Sequence, residues 1–332
     1  MVSIKDIARA AHVSHSTVSR ALRDSPLVNP ETRELIQRIA AEKGYTVSAV
    51  ARSLVTRRTN TIGVVVTSIA DPFVGEVVGG VEEFAVARQY SVILATCHGD
   101  PDRELRAVRS LQERRVDGIL VAASRVGALY LPMLEELKAP LVLINNQYPG
   151  EFGFHVSIDN PAGARQITNH LIELGHRRIA YIGDRFGLHS DTERCYGYRE
   201  SLEYAGIPYN PELVAYGDGA SESGLQAMRR LLSLPDRPTA VFCYNDMQAF
   251  GALRAARELG IKVPADISIA GFDDLFFCSY TDPPLTTIRQ PKQEMGCDAA
   301  EILLDLLAGR KPRSIVKQGA LVVRESTAPR SA

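Results

Sequence analysis

In the run Val13-Ser14-His15-Ser16-Thr17-Val18-Ser19-Arg20-Ala21-Leu22, short hydroxyl side chains, an imidazole and a guanidinium alternate with apolar residues. Read as a helix, Ser14 stands at the N-cap, where its hydroxyl accepts a bond from an orphan backbone N–H. Val18, Ala21 and Leu22 then share one face at i, i+3 and i+4 and pack inward. His15, Ser16, Ser19 and Arg20 fall on other faces, with Ser14 and Thr17 beside them at the helix start. That set suits the reading of base edges in a major groove, where arginine pairs with guanine through two bonds. A solvated surface helix would carry similar residues, so the weight falls on what surrounds the run.

Upstream, Ser3-Ile4-Lys5-Asp6 has the form of a capping box, and Ile7, Ala8 and Ala11 supply an apolar face. Two short helices joined by Ala11-His12-Val13-Ser14 describe a helix-turn-helix. A third helix follows: Asn29 caps it, Pro30 takes its first position, Ile36, Ile39 and Ala40 face inward, and Gly44 stops it.

Ile4-Lys5-Asp6-Ile7-Ala8, Val13-Ser14 and Thr17 to Leu22 closely resemble the headpiece of LacI-type bacterial transcriptional repressors. Val28, Glu31-Thr32-Arg33, Gly44-Tyr45 and Ala51-Arg52-Ser53-Leu54 extend the match, which runs almost to the end of the chain. The resemblance implies a hinge helix from Ser48 to Leu54 that orders on operator DNA, with Leu54 wedged into the minor groove. Lys5 and Arg52 would hold phosphates. Val47 stands where the family usually carries proline, so the start of the hinge is less restricted. His12 stands where many members have Gly or Asn in the turn; histidine tolerates positive φ at some strain.

Charge is divided unevenly. The formal net charge of −1 splits into +5 for residues 1–60 and −6 for the rest, a basic head on an acidic body. That division fits a polyanion-binding module joined to one that binds something else. Five cysteines, Cys97, Cys195, Cys243, Cys278 and Cys297, lie far apart without a C-x-x-C, which predicts reduced thiols, no disulfide scaffold and no metal site. The chain begins without an apolar signal segment and contains no apolar run of about eighteen residues, so a cytoplasmic protein with no membrane contact is expected.

Length and hydropathy patterning set the architecture. At 332 residues and 45% hydrophobic, the chain exceeds one core. The expected division is a helix-turn-helix domain over 1–46, a hinge and linker over 47–60, and a two-lobed effector-binding and dimerisation domain over 61–328. From Thr61, β-branched runs alternate with helical segments. The runs are Ile62 to Val66, Ser91 to Ala95, Gly118 to Ala122, Leu141 to Ile144, Ile179 to Ile182, Ala240 to Cys243 and Ile267 to Ala270. Helices are expected over Phe73 to Arg88, Arg103 to Arg114, Ala162 to Leu174, Glu193 to Ala205, Glu222 to Leu234 and Met247 to Leu259. This is the pattern of doubly wound α/β lobes with parallel sheets, here two of them divided near residue 160. The resemblance adds a core like that of a periplasmic sugar-binding protein, whose last helix, near Pro291 to Ala308, crosses back to the first lobe.

Ligands of open α/β sheets bind at the carboxyl ends of the strands. Asp71 and Phe73 follow the first strand, Ser124 the third, Asn245-Asp246 the run ending at Tyr244, and Asp273-Asp274 the turn Gly271-Phe272. Arg194, in Arg194-Cys195-Tyr196-Gly197-Tyr198, matches the family's effector-reaching arginine. Asp246 could equally cap the helix starting at Met247. Asp71, Arg194, Asn245 and Asp273 offer donors and acceptors without a large net charge, which favours a sugar or polyol and also admits a nucleobase. Where purine-binding members of the family it resembles carry a second aromatic for stacking, this chain has Val74 and Gly219, while Arg185 and His189 could pair with the carboxylate of a sugar acid.

Catalytic motifs are missing from the sequence. Gly217-Asp218-Gly219 lacks the third glycine of a dinucleotide loop, and Gly219 to Gly224 is followed by Leu225-Gln226 in place of Lys-Ser/Thr. Neither G-x-S-x-G nor H-E-x-x-H occurs. The reading is therefore a ligand-responsive DNA-binding repressor with no enzyme activity and no cofactor, acting as a homodimer on a near-palindromic operator. Its alternative is a periplasmic-type solute-binding protein without a DNA function. The tail Thr327 to Ala332 has no heptads, so no tetramerising helix is expected there.

Overall fold

A computed structural model describes residues 2–22, 24–45, 58–124, 126, 139–146 and 153–330. The chain forms two compact units, Met1–Thr59 and Asn60–Ala332. The expected hinge, with Val47, Arg52 and Leu54, lies outside the described residues.

In the first unit, α1 (Ile4–Ala10), α2 (His15–Ala21) and α3 (Pro30–Glu42) enclose a small core of Ile7, Ala8, Ala11, Val18, Ala21, Val28, Ile36 and Ala40. Their starts are fixed by side chains. Asp6 reaches back to the Ser3 N–H at 3.0 Å, Ser14 Oγ accepts the Thr17 N–H at 3.1 Å, and Asn29 Oδ1 accepts the Glu31 N–H at 2.9 Å. His12, between α1 and α2, has φ 52°, in the left-handed region. A β-branched side chain is a genuine outlier there. His12→Val is therefore expected to lower stability by about 1–3 kcal/mol, read as a lower melting temperature of the first unit's transition in the full chain. An unchanged melting curve would show that the turn is not strained.

The second unit continues with β1 (Thr61–Val66), α4 (Pro72–Val86), β2 (Ser91–Thr96), α5 (Pro101–Glu113), β3 (Gly118–Ala122), β4 (Leu141–Ile144) and β5 (Phe154–Ile158). Next come α6 (Asn160–Glu173), β6 (Ile179–Asp184), α7 (His189–Tyr204), β7 (Val214–Gly217), α8 (Ser221–Leu232), β8 (Ala240–Cys243), α9 (Asp246–Glu258) and β9 (Ser268–Ala270). The last elements are β10 (Thr287–Arg289), α10 (Lys292–Leu307), β11 (Ile315–Lys317) and β12 (Ala320–Val322).

These make two lobes. The first holds a six-stranded parallel sheet in the order β11-β5-β4-β3-β1-β2, and the second a four-stranded parallel sheet in the order β7-β6-β8-β9. β1 is buried from Ile62 to Val66, as a strand covered on both faces must be. β2 departs from that expectation: it is an edge strand, and Ile93 and Leu94 are exposed. The chain leaves the first sheet after β5, and α6 packs against the second lobe, where Ala164, Ile167 and Leu171 meet Tyr181, Tyr198 and Phe272.

The lobes are laced together by two further crossings. After β10, α10 returns to the first lobe, where Met295, Ala299 and Leu303 join Val64, Val77 and Val81. α10 lies almost against α4: a Cβ on Gly296 would stand 2.0 Å from the Val77 carbonyl oxygen, and one on Gly80 2.0 Å from that of Gln293. β11 then extends the first sheet, and β12 pairs antiparallel with β10. Five strands, β5, β7, β10, β11 and β12, escaped the sequence reading. Three of them are only three residues long, and the other two carry polar or exposed residues at alternate positions. Cys97, Cys243 and Cys278 are buried, and all five cysteines are free thiols.

Candidate functional site

On α2, His15, Ser16 and Arg20 are exposed, as is Lys5 on α1, while Thr17 and Ser19 are half-buried. Ser14 is exposed but occupied. Its hydroxyl holds the Thr17 N–H and lies 2.7 Å from Ser16 Oγ and 2.9 Å from Thr17 Oγ1. Ser14 and Thr17 therefore build the helix start, whereas His15, Ser16 and Arg20 project from it.

In the second unit, the carboxyl ends of both parallel sheets face a cavity of about 490 Å³. Asp71, Phe73, Arg194, Asn245 and Asp273, five of the six expected effector contacts, line it. Asp71 caps α4, its Oδ1 accepting the Phe73 N–H at 3.0 Å, and burial raises its carboxyl above the usual range. Asn245, and not Asp246, caps α9. Its Oδ1 accepts the Gln248 N–H at 2.9 Å and its Nδ2 donates to the Gly219 carbonyl at 3.0 Å.

Ser124 departs from expectation. It is fully buried, donates to Glu104 Oε1 at 2.5 Å and accepts the Val126 N–H, and its neighbour Ala123 lines the cavity instead. The hydroxyl turns into the first lobe because Glu104, itself buried, needs a donor there. Arg185 and His189 are not at the cavity wall either. Arg185 pairs with Asp218 at 3.0 Å, and His189 with Glu193 at 3.3 Å.

Arg194 is the hub of the cleft. Its Nε donates to Asn160 Oδ1 at 2.9 Å, its Nη1 to the Tyr244 carbonyl at 2.6 Å, and Nη1 stands 3.8 Å from Asp273 Oδ1. The guanidinium lies over the Phe272 ring, 3.7 Å from its centroid, and 4.7 Å from that of Tyr244. Gly197, one helical turn on, explains the spacing of the motif. A Cβ there would stand 2.5 Å from the Pro161 carbonyl oxygen, so glycine lets α7 approach α6 and brings Arg194 to Asn160.

Asp273 is held in a rare backbone conformation, φ 122°. The neighbours fix it: its N–H donates to the Ile288 carbonyl, Gln290 Nε2 to its Oδ1 at 2.7 Å, and the buried Lys292 Nζ to its carbonyl at 2.7 Å. Such strain persists only where the surroundings over-determine it. Burial pushes the Asp273 carboxyl up; Arg194 draws it back, and the neighbouring Asp246 carboxyl pushes it further. Lys292 also donates to the Asp274 carbonyl at 2.8 Å and stands 3.4 Å from Glu76 on α4, so one ammonium ties the loop of the second lobe to a helix of the first.

Asp274 turns the other way. Burial alone would raise its carboxyl, but hydrogen bonds from Arg324 and Arg289, each at 2.6 Å, outweigh it and hold the carboxyl below its usual value. A depressed carboxylate stabilises the fold above the unfolded value of 3.8, and this is lost as the pH falls through the lower folded value. Asp274→Asn is thus expected to melt at a lower temperature than the native chain at pH 7. The gap should narrow as the pH drops below 3.8, and a gap independent of pH would contradict the assignment.

Contributors missed by sequence reasoning include Asn145, Asp184, Asp218, Gln290 and Lys292. Asn145 follows β4 and Asp184 ends β6, so the strand-end rule could have found both. Gln290 follows β10, a strand too short to read, and no signal marks Lys292 as buried.

Residues 3–48 match the family described as bacterial regulatory proteins, lacI family, and residues 168–327 a periplasmic binding protein-like domain. The ribose operon repressor of Haemophilus influenzae is 38% identical, over 98% of this chain and 98% of its own. A solved complex of the transcriptional regulator CelR with cellobiose is 36% identical, with TM-score 0.75, covering 98% of this chain and all of that one. The lac repressor dimer bound to operator and the anti-inducer ONPF is 29% identical, with TM-score 0.91, over 98% and 99%. These matches span head and core of this chain together, and each relative is named as a repressor or transcriptional regulator, which the solute-binding alternative does not explain. The chain belongs to the LacI family of bacterial regulatory proteins, DNA-binding transcriptional repressors that sense a small effector and are not enzymes.

Proposed function

We propose that His15, Ser16, Ser19 and Arg20 read base edges of a near-palindromic operator while Lys5 and Arg52 hold its phosphates. Leu54 is assigned to the minor groove, where a wedge between base steps bends the duplex. Residues 47–60 join this reading head to the sensor. The effector is a sugar, sugar acid or polyol bound by Asp71, Phe73, Arg194, Asn245 and Asp273, with a nucleobase as the second reading. The observation that carries this is the convergence of those five side chains on one cavity between the lobes. CelR, which binds cellobiose with the same fold, supports a carbohydrate.

The working form is a homodimer, matching operator symmetry. Exposed apolar residues support it: Ile93 and Leu94 on the edge strand β2, and the ring cluster Phe276, Phe277 and Tyr280 on the second lobe. The proposed DNA target puts the site of action in the cytoplasm. Among the described residues no helix is long and apolar enough to cross a membrane. Selection of bound duplexes from a random library by the full chain tests this reading. It predicts two related half-sites and binding that weakens steeply with salt; recovery of unrelated sequences would refute it.

A further inference from the structure

Four carboxylates line the cleft, Asp71, Asp184, Asp218 and Asp273, against one guanidinium, Arg194. Asp184 and Asp218 add two acceptors to the set inferred from sequence. The guanidinium is also committed: Asn160, the Tyr244 carbonyl and Asp273 already take its hydrogen bonds and charge. Asp218 draws Arg185, but that cation stands outside the cavity wall. His98, on the first lobe, is exposed at the cavity.

Resting on the effector reading above but narrowing it by removing the sugar acid, we infer that the cleft selects an uncharged, hydroxyl-rich ligand and rejects its phosphorylated or carboxylated counterparts. An ionised carboxylate accepts hydrogen bonds, and a carboxyl kept neutral by burial can also donate one, so a row of them suits hydroxyl groups, which do both. An anion would have to sit among these carboxyls in a partly desolvated site, where burial already disfavours the charged forms of Asp71 and Asp273. The aromatic provision agrees. Arg194 lies over Tyr244, and Phe73, half-buried against the cores of both lobes, is the other aromatic at the cavity among the described residues, which provides for the apolar face of a sugar ring but no sandwich for a base.

The test uses the full chain on its selected operator with two probe sets. The first contains D-ribose, D-glucose, cellobiose and glycerol; the second contains ribose 5-phosphate, glucose 6-phosphate, gluconate and inorganic phosphate. A neutral probe is expected to shift operator affinity, and its anionic twin to be weaker by about a hundredfold or more, since like charges in a desolvated site are strongly disfavoured. A response to the anionic set, or to neither, overturns the inference while leaving operator binding intact; a chain that binds no operator either with or without any probe would instead sink the repressor reading. In a second arm, Asp184→Asn is expected to narrow the gap between the twins, and an unchanged gap counts against the charge argument.

Discussion

Arg194→Met removes the effector response while operator binding persists. The substitution keeps the apolar stem and deletes the donors to Asn160 and the Tyr244 carbonyl together with the cation facing Asp273. Removing one partner of a buried, hydrogen-bonded charge pair costs about 2–5 kcal/mol, much of it from the charge left behind. Effector affinity should fall by about a hundredfold or more, and the melting temperature of the second unit should drop. Arg194→Lys should restore little, because an ammonium cannot span Asn160 and Tyr244 as the planar fork does. The check is a titration of operator retardation with the active neutral probe for each variant. A native response in Arg194→Met would show that the hub holds the fold and nothing else.

Arg20→Ala is expected to lower operator affinity by about 1–3 kcal/mol and to relax the preference at one base position in each half-site. Arg20 is exposed in the last turn of α2, a helix otherwise anchored by the buried Val18 and Ala21, so the side chain can go without disturbing the core. The melting curve should therefore match that of the native chain. Repeating the selection with the variant separates two roles. A base reader loses sequence information; a phosphate contact weakens every sequence alike and lowers the salt dependence by about one counterion.

The first unit could be read from the sequence because each of its signals is local. Ser3, Ser14, Asn29, Pro30 and Gly44 stop or start helices within one turn of themselves, and the structure places them there. The buried parallel strands that run almost wholly apolar, such as β1 and β3, were equally plain. β10, β11 and β12 were not, because three-residue strands owe their existence to a chain that crosses back between lobes. The same crossing hid Gln290 and Lys292, which matter only because distant segments meet around them. Ser124 failed for the opposite reason. The strand-end rule names a position but not the direction of its side chain, and a buried Glu104 claimed the hydroxyl. Asp273 was read from its place after the turn Gly271-Phe272, and the structure holds it at the cavity with φ 122°.

One chain serving as both reader and sensor requires the two sites to share a coupling free energy, and linkage makes that coupling reciprocal. The decisive measurement is a pair of titrations: operator affinity with and without saturating neutral ligand, and ligand affinity with and without saturating operator. The account predicts the same factor in both directions, about 5- to 150-fold. Unequal factors, or a ligand that fills the cleft and leaves operator affinity where it was, would contradict it.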